Sequence, residues 1–514
     1  MSDPTLVLDG RSLTIADVVR VARSPQAVVA VDRAARERLV ASRKAIEAAI
    51  AGGRTMYGVN TGFGKLANVR ISPDNLDQLQ ANLIRSHAAG VGDPLPPDVV
   101  RGLMLLRANV LLRPTSGVRS DLVDALVAVL NARLLPLVPE QGSVGASGDL
   151  APLSHVGLAL MGEGEVVERS AGGVRRAPAA PALAAAGLEP FRFAPKEGLA
   201  FINGTQAQTA LLALLVHDAG VLWRTAVAAA AMSLEALRGT PAPLDPRIHD
   251  ARPHDGQRRA AALMRRLLLD SEIRESHREN DPRVQDAYSL RCAPQVLGAV
   301  ADALRFAENT AVVELNASTD NPLVFDDGEV ISGGNFHGQP VAQALDFLAI
   351  ALTTLQAIAE RRIERLVNPD LSQGLPAFLT PDPGLRSGYM MVQITAASLV
   401  AESRALAMPA SIGSIPTDAN QEDFVPMGMA AATKARRILL NAQRVVAAEL
   451  LCAAQGLEFL KPLRPGRGVD DLYRRLRGLR PAVRPLYEDR PPGPDLERLA
   501  RAVAQGDLDP GPEG

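Results

Sequence analysis

Hydrophobic residues recur at the spacing of amphipathic helices along most of the chain. The first such helix begins with Thr14 followed by Asp17, the pattern of a capping box. Asp32 can cap a second helix, which Gly52 and Gly53 end. Later helices lengthen to roughly 20–35 residues, beyond the average of about 10–14, and predict a bundle. The predicted helices cover residues 15–22, 33–51, 73–88, 97–112, 119–132, 151–161, 204–238, 293–316, 338–366, 387–408 and 427–459.

Strand patterns are few and short. Residues 162–174 predict a small hairpin, and residues 323–325 with 329–331 predict another. The Ala- and Pro-rich residues 176–189 predict a surface connection. The fold class is therefore mostly α, with a long-helix bundle core and an N-terminal mixed, mainly helical domain. The predicted domains are residues 1–195, residues 196–465 with the central bundle, and residues 466–514 with short helices and a tail.

Composition and charge narrow the class of protein. Hydrophobic residues make up 47% of the 514 residues and charged residues 22%, as in soluble globular proteins. The formal net charge of −2 provides no basic excess for binding nucleic acid or a membrane surface. The most apolar stretch, residues 210–232, contains His217, Asp218 and Arg224, which argues against a membrane span. No signal-peptide pattern begins the chain and only two cysteines are present, so we expect a cytoplasmic protein.

Residue spacing argues against two further kinds of site. The segment from Gly58 to Leu66 resembles a phosphate-binding loop, but it has five residues between its outer glycines. Leu66 also stands where a Ser or Thr would bind magnesium. The histidines show no His-x3-His pair and no cysteine partner at ligand spacing, so we expect neither a nucleotide site nor a metal site.

The glycine-crowded segment Gly142-Ser-Val-Gly-Ala-Ser-Gly-Asp-Leu150 lies between two predicted helices. Its simpler interpretation is a flexible turn. If the segment is tightly bent, the amide nitrogen of Gly148 can attack the carbonyl carbon of Ala146, because glycine presents no side-chain obstacle. Loss of water, and a second loss from Ser147, would leave an alkene on a five-membered ring. Such a group is an electrophile made from the chain itself.

Further motifs accompany this segment: Tyr57-Gly-Val-Asn-Thr-Gly-Phe-Gly64, Ser86-His-Ala-Ala-Gly90, Phe201-Ile-Asn-Gly-Thr-Gln206, Gln285-Asp-Ala-Tyr-Ser-Leu-Arg-Cys-Ala-Pro-Gln295, Gly334-Asn-Phe-His337 and Ala419-Asn-Gln-Glu-Asp423. With Gly145-Ala-Ser-Gly-Asp-Leu-Ala-Pro-Leu-Ser-His155, they make the chain resemble the aromatic amino acid ammonia-lyases and aminomutases that carry a methylidene-imidazolone (MIO) group. The resemblance implies a fumarase/aspartase-like architecture and a homotetramer with shared active sites. It also implies that Ala146, Ser147 and Gly148 form the MIO ring without an external cofactor.

The resemblance implies roles for the residues around the ring. Asp149 belongs to the same loop, and Asn203 and Phe336 are expected to orient and support the ring. Tyr57 matches the catalytic base that removes the substrate's β-proton, whereas in isolation it would be interpreted as a core aromatic residue. A tyrosine with a pKa of about 10 is a poor base at neutral pH. We therefore expect positive helix ends or nearby cations to lower the pKa of Tyr57.

A second set of residues is implied to bind the substrate. Arg291 matches the residue that grips the substrate carboxylate, a task that suits the forked guanidinium group. Tyr288 and Gln285 match its neighbours in the same pocket. Outside this motif, Arg291 would be interpreted as a surface cation at the start of a helix.

Two positions indicate the substrate branch. Ser86-His87 resembles the pair found in histidine enzymes, whereas phenylalanine enzymes have Phe-Leu and tyrosine enzymes have His-Leu. Glu422 stands where the other branches usually have Gln. A buried carboxylate beside a bare phenyl ring would be unpaired, but an imidazole N–H gives it a donor. Phe424 and Gly338-Gln339 depart from the histidine pattern, which usually has His and Ala-Glu there.

Some assignments stay open at this point. His87 contacts either the substrate ring or its amino group, and Glu422 would also suit the start of a helix. The implied activity is deamination of L-histidine to trans-urocanate and ammonia, with neither nucleic acid nor a membrane as partner. A tyrosine or phenylalanine lyase, or an aromatic 2,3-aminomutase, is the alternative within the family. From another class, a helical scaffold that has lost the chemistry would keep Ala146-Ser147-Gly148 uncyclised.

Overall fold

Helices dominate the computed structural model, which describes residues 4–170 and 173–511. The predicted capping box is present, since Thr14 Oγ1 accepts from the backbone N of Asp17 while the Asp17 carboxylate accepts from the backbone N of Thr14. The helices are α1 (Ile15–Arg23), α2 (Arg33–Ala51), α3 (Leu76–His87), α4 (Pro97–Leu111), α5 (Ser120–Asn131), α6 (Leu150–Leu160), α7 (Ala179–Ala185), α8 (Glu197–Ile202), α9 (Gln206–Ala236), α10 (Pro246–Ala251), α11 (Asp255–Leu267), α12 (Glu272–Glu275), α13 (Tyr288–Arg291), α14 (Ala293–Glu314), α15 (Gln339–Val367), α16 (Met390–Leu406), α17 (Gly428–Glu458), α18 (Arg467–Arg477) and α19 (Gly493–Gln505).

The predicted long helices are confirmed as α9, α14, α15, α16 and α17. Every residue from position 225 to position 237 of the chain is buried, and alanine fills much of this stretch of α9. A helix that is apolar on all sides belongs in a core. Helices α9 and α15 are also long and apolar enough to cross a membrane, but 72% and 67% of their most apolar windows are buried within the structure, as in the core helices of soluble proteins.

Short strands form four small sheets within the described ranges. One sheet pairs two strands in parallel, with Leu6 opposite Val29, and the other pairings are antiparallel. The two predicted hairpins are confirmed as β6–β7 and β8–β9, although residues 171 and 172 lie outside the described residues. The strands are β1 (Leu6–Leu8), β2 (Val29–Val31), β3 (Val91–Pro94), β4 (Leu135–Pro136), β5 (Pro139–Gln141), β6 (Glu165–Ser170), β7 (Gly173–Pro178), β8 (Leu323–Val324) and β9 (Val330–Ile331).

Much of the predicted surface connection over residues 176–189 has regular secondary structure. Strand β7 continues to Pro178, and α7 follows at once. Ala179, Ala182 and Leu183 are buried, so one face of α7 packs against the interior. Pro181 lies in the first turn of α7, where a missing N–H costs no helical hydrogen bond.

The chain divides into two compact units. One contains Met1–His217, Ala307–Asp346 and Pro409–Thr433, and the other contains Asp218–Phe306, Phe347–Met408 and Lys434–Gly514. Each unit is thus assembled from three separate segments, whereas the domains predicted from the sequence are consecutive. The boundaries after residues 195 and 465 stay a prediction, because a compact unit need not coincide with a domain that folds alone.

Candidate active site

The loop between β5 and α6 is bent tightly at two glycines. Gly145 and Gly148 both have φ of 76°, in the left-handed region that glycine adopts without strain. Gly148 pairs with Gly204 in an isolated parallel bridge, and the backbone N of Asp149 donates to Gly204 O at 2.7 Å. A methyl group at position 148 would overlap the backbone of Gly204. Glycines at positions 145 and 148 therefore permit the tight bend of the loop, and the glycine at 148 also permits its close approach to Gly204.

A fully buried guanidinium group holds the turn opposite this loop. Arg107 donates to Gln206 Oε1 at 2.5 Å and to Asn203 O at 3.4 Å, and it also donates to Ala200 O. Burial lowers the pKa of Arg107 to about 10, although the nearby charge of Asp320 opposes the shift. The hydrogen bonds fix the end of α8 and the following turn, and thereby the backbone that approaches Gly148.

The hydroxyl of Ser147 is hydrogen-bonded to a carboxylate. Ser147 Oγ donates to Glu422 Oε1 at 2.6 Å, and Thr417 Oγ1 donates to Glu422 Oε2 at 2.6 Å. Between Thr417 and Glu422, three successive residues have φ of 48°, 50° and 65°, and the middle one is Ala419. Such a backbone is strained for alanine. It folds the chain back so that Glu422 reaches Ser147.

Tyr57 lies in a negatively charged environment. Its hydroxyl oxygen accepts a hydrogen bond from the backbone N of Gly64 at 3.0 Å. Burial raises the pKa of Tyr57, the hydrogen bond from Gly64 opposes that shift, and the charges of Asp418 and Glu422 raise the pKa further. The expectation that cations or helix ends lower this pKa is therefore wrong for the isolated chain, because the charged groups that act on Tyr57 here are carboxylates.

His87 is oriented as a hydrogen-bond acceptor toward the cavity. Its Nδ1 lies 2.9 Å from Leu83 O, which can only accept, so Nδ1 carries the proton. Burial lowers the pKa of His87 despite this bond and the charges of Asp418 and Glu422. The neutral ring therefore keeps a lone pair on Nε2. Ser86, the preceding residue, donates from Oγ to Leu83 O at 3.1 Å.

Two cavities of about 610 and 440 Å³ meet around these residues. The larger is lined by Ser86 and His87, and the smaller by Ala146 and Phe336. Residues that line both are Tyr57, Gly64, Ser147, Asn203, Asp418 and Glu422. Segments far apart in sequence thus meet at one place.

Gln285, Tyr288 and Arg291 line neither cavity. They belong to the other compact unit, where Tyr288 and Arg291 are the ends of the short helix α13. Tyr288 is 71% exposed, and the Arg291 guanidinium lies over its ring at 4.5 Å from the centroid. The Nε atom of Arg291 is buried without a hydrogen-bond partner.

One buried amide oxygen beside the loop between β5 and α6 has no hydrogen-bond partner. The side-chain oxygen of Asn203 faces no hydrogen-bond partner although it is buried, so this amide is available to a group formed at the adjacent loop. Across residues 4–170 and 173–511, no group of three or more His, Cys, Asp or Glu side chains could hold a metal ion. Gly148 has no side chain and a φ of 76°, so a bond from its nitrogen to the carbonyl carbon of Ala146 would meet no Cβ at residue 148.

Sequence reasoning missed Asp418 and Arg107. Asp418 accepts from the backbone N of Lys65 at 3.1 Å, and it thereby ties the loop after Tyr57 to the loop before Glu422. The only available signal was position, since Asp418 immediately precedes a motif residue. Arg107 gave no signal, because its α4 sequence is that of an ordinary core helix.

Phe424, which departs from the histidine pattern, packs beside the cavity wall. Its ring stacks on His337, with centroids 6.1 Å apart and planes 17° apart. His337 Nε2 lies 3.1 Å from Phe424 O and therefore carries the proton of a hydrogen bond to that carbonyl. The substitution places an apolar ring next to the loop that carries Glu422.

Comparison with known proteins gives a consistent result. The model of the family "Aromatic amino acid lyase" matches residues 13–478. A histidine ammonia-lyase of Deinococcus radiodurans is 52% identical over 504 residues, 98% of this chain and 94% of that protein. The crystal structure of histidine ammonia-lyase from Trypanosoma cruzi is 42% identical with a TM-score of 0.90, over 98% of this chain and 94% of that chain. A tyrosine aminomutase from Streptomyces globisporus is 39% identical with a TM-score of 0.91, over 98% of each chain.

Proposed function

The chain belongs to the aromatic amino acid lyase family and is a carbon–nitrogen lyase, and from that premise we propose that it converts L-histidine to trans-urocanate and ammonia. The observation that carries the proposal is the 2.6 Å hydrogen bond between Ser147 and Glu422, in a cavity that also contains Tyr57, His87 and Asn203. It brings the residue that would form the electrophile together with the residue that would select the substrate.

The electrophile we propose is an MIO ring formed by Ala146, Ser147 and Gly148. The nitrogen of Gly148 bonds to the carbonyl carbon of Ala146, whose oxygen leaves as water with the hydrogens of the Gly148 and Ser147 nitrogens. The Ser147 hydroxyl then leaves as a second water with the Ser147 Cα hydrogen. Both steps are dehydrations, so no oxidant or external cofactor is required. Asn203, with its free amide oxygen, and Phe336 would support the ring.

When present, the ring supplies an electrophilic alkene that makes the substrate amino group a better leaving group. Tyr57 then takes the β-proton, and the Gly64 N–H that donates to its oxygen at 3.0 Å stabilises the phenolate. Glu422 accepts from an imidazole N–H of the substrate in a charge-assisted bond. The Nε2 lone pair of His87 offers a second acceptor for the substrate's ammonium or ring N–H.

We propose that Arg291, Tyr288 and Gln285 complete the site of another copy of the chain in a homotetramer. They line neither cavity of their own chain, and the unpartnered Nε of Arg291 leaves this guanidinium a free donor for a carboxylate. We also propose a cytoplasmic location, without nucleic acid or membrane as partner. Cys292 and Cys452 are both free thiols, which suits a reducing compartment.

The test is product analysis with L-histidine, L-tyrosine and L-phenylalanine supplied separately. We expect urocanate and ammonia from histidine, and loss of this activity in Ser147→Ala, whose mass should lack the second dehydration. Coumarate or cinnamate would contradict the substrate assignment and leave the ring chemistry in place. A β-amino acid would show aminomutase activity, and a wild-type chain at its full translated mass without any product would favour the inactive scaffold.

A further inference from the structure

The side chain of Gln208 occupies a space that three glycines leave open. Gln208 is fully buried, near the start of α9. A methyl group added at Gly145 would lie 3.1 Å from Gln208 Nε2. Methyl groups at Gly338 or Gly428 would overlap the same amide. These glycines come from three different segments: the ring-forming loop, the segment that follows Phe336, and the start of α17.

Backbone hydrogen bonds join the same three segments to one another. The backbone N of Gly338 donates to Gly145 O at 3.0 Å, and the backbone N of Met427 donates to Val144 O at 2.8 Å. Any displacement at position 338 or 428 is therefore passed directly to residues 144 and 145. These residues precede Ala146, whose carbonyl carbon is the site of ring closure in the proposed chemistry.

Gln208 also holds the other end of the ring-forming loop. Its backbone N donates to Asp149 Oδ2 at 2.9 Å, and its Nε2 donates to Asp149 Oδ1 at 3.3 Å. Ser143 Oγ donates to the same carboxylate at 2.9 Å. Residues 143 and 149 bracket the loop. One side chain thus contacts Gly145 on one side and binds Asp149 on the other.

We propose that Gln208 is a positioning residue for ring closure: with Gly145, Gly338 and Gly428 it forms a packed cage that holds the Ala146 carbonyl against the Gly148 nitrogen. The inference rests on the proposed function, because it concerns formation of the MIO ring. It also accounts for Gly338, which departs from the histidine pattern. A methyl group at position 338 would force the Gln208 amide to move, and Gln208 Nε2 would then lose its place beside Asp149.

The decisive variants are Gly338→Ala and the double variant Gln208→Ala/Gly338→Ala. The added methyl in Gly338→Ala overlaps the Gln208 amide, and overpacking of this kind should slow ring closure by at least about tenfold. Removing the Gln208 side chain restores the space, while its backbone N still binds Asp149. The double variant should therefore close the ring faster than Gly338→Ala. It should stay slower than the wild type, as should Gln208→Ala alone, because both lack the side chain that packs the cage and donates to Asp149.

Gly493→Ala is the matched control, because a methyl group there has no atom within 4 Å and Gly493 lines neither cavity. The readout is the fraction of intact chains lighter by two waters, followed with time after synthesis, with circular dichroism as a check of folding. Normal ring formation in Gly338→Ala, or a double variant no better than Gly338→Ala, would overturn the inference and leave the proposed function intact. If Gly338→Ala is insoluble, a double variant that is soluble and lighter by two waters supports the cage. A double variant that is also insoluble, or that keeps its full translated mass, overturns it. A wild-type chain at its full translated mass would overturn the proposed ring and the cage together.

Discussion

Replacing Asp320 by asparagine should strongly destabilise the chain, because two buried cations share its charge. Lys196 Nζ lies 2.8 Å from Asp320 Oδ2, and neither side chain is exposed to solvent. Arg107 is a second fully buried cation on which the charge of Asp320 acts. Lys196 immediately precedes α8, which ends next to Asn203. The network therefore supports the turn that approaches the ring-forming loop.

The magnitude can be worked out from the geometry. Coulomb's law with an effective dielectric constant of about 20 gives an attraction of about 6 kcal/mol at 2.8 Å. Desolvation offsets part of this attraction, and removing one member of a buried pair typically costs about 3–5 kcal/mol. The loss of unfolding free energy has an upper limit, because Lys196 can become neutral instead of staying charged without a partner. Deprotonating a lysine with an unfolded pKa of about 10.4 costs about 4.6 kcal/mol at pH 7. We expect Asp320→Asn to lose about 4 kcal/mol of unfolding free energy at pH 7.

The same reasoning predicts a pH dependence. Burial lowers the pKa of Lys196, and in the wild type Asp320 opposes that shift. Without Asp320, the folded variant holds Lys196 neutral, so the unfolded chain binds one more proton. The variant's stability should then rise with pH by about 1.4 kcal/mol per unit until the unfolded pKa is reached. Its deficit relative to the wild type should shrink to about 1 kcal/mol at pH 9.

Urea unfolding at pH 7, 8 and 9, at one protein concentration, measures both effects. Asp250→Asn is the control, since Asp250 pairs with Arg258 at 3.1 Å with both side chains about half exposed or more, and its loss should cost less than about 1 kcal/mol. Adding Lys196→Met to Asp320→Asn should recover stability, because the unpaired amine is removed. A deficit below about 1 kcal/mol at pH 7, or one equally large at pH 9, would refute the reasoning.

Three further predictions concern the cavity. Tyr57→Phe should lower kcat/KM for histidine by about 10²–10⁴ while the intact mass still shows the loss of two waters, and normal turnover would exclude Tyr57 as the base. Glu422→Gln keeps an oxygen that accepts from Ser147 but loses the negative charge. The kcat/KM for histidine should therefore fall roughly 10- to 100-fold, with the ring still formed. An unchanged preference for histidine over phenylalanine and tyrosine would contradict the role of Glu422. Burial raises the pKa of Asp149 to about 6. Because the unfolded value is about 3.9, the folded state holds more protons between these pH values, and unfolding free energy should fall by about 3 kcal/mol as pH rises from about 4 to about 6. Asp149→Asn should flatten that part of the urea-midpoint profile, and an unaltered slope would show that another group causes it.

The sequence predicted the helices well because the signals of a helix, its caps and its apolar spacing, come from residues close together in the chain. The capping box at Thr14, the cap at Asp32 and the lengths of α9, α15 and α17 follow from residues within one or two turns of each other. The segment containing α7 was misinterpreted because proline in a first helical turn gives the same local signal as proline in a loop. Periodicity could not distinguish these two conformations.

Several motif residues line the two cavities, whereas Gln285, Tyr288 and Arg291 do not, and the motifs gave no information on the interactions between the residues that do. Lys196 and Asp320 are separated by 124 positions, and the sequence around each residue does not indicate that it is buried beside an opposite charge. The pKa of Tyr57 likewise depends on Asp418, which reaches it through a strained backbone that no propensity favours. Gln208 and its glycines were invisible for the same reason, since their fit arises from three separate segments. Tertiary packing decides each of these interactions.

The charges of the cavity give a physical reason for the proposed homotetramer. Asp418 and Glu422 both raise the pKa of Tyr57, and the same negative charge would repel the carboxylate of an incoming amino acid. Both effects oppose catalysis in the isolated chain. Arg291 from another copy, placed to bind that carboxylate, would offset both, because a cation lowers the pKa of a phenol and attracts the substrate. The raised pKa of Tyr57 is thus compatible with the proposed homotetramer, in which Arg291 of a second copy would be the cation that lowers it.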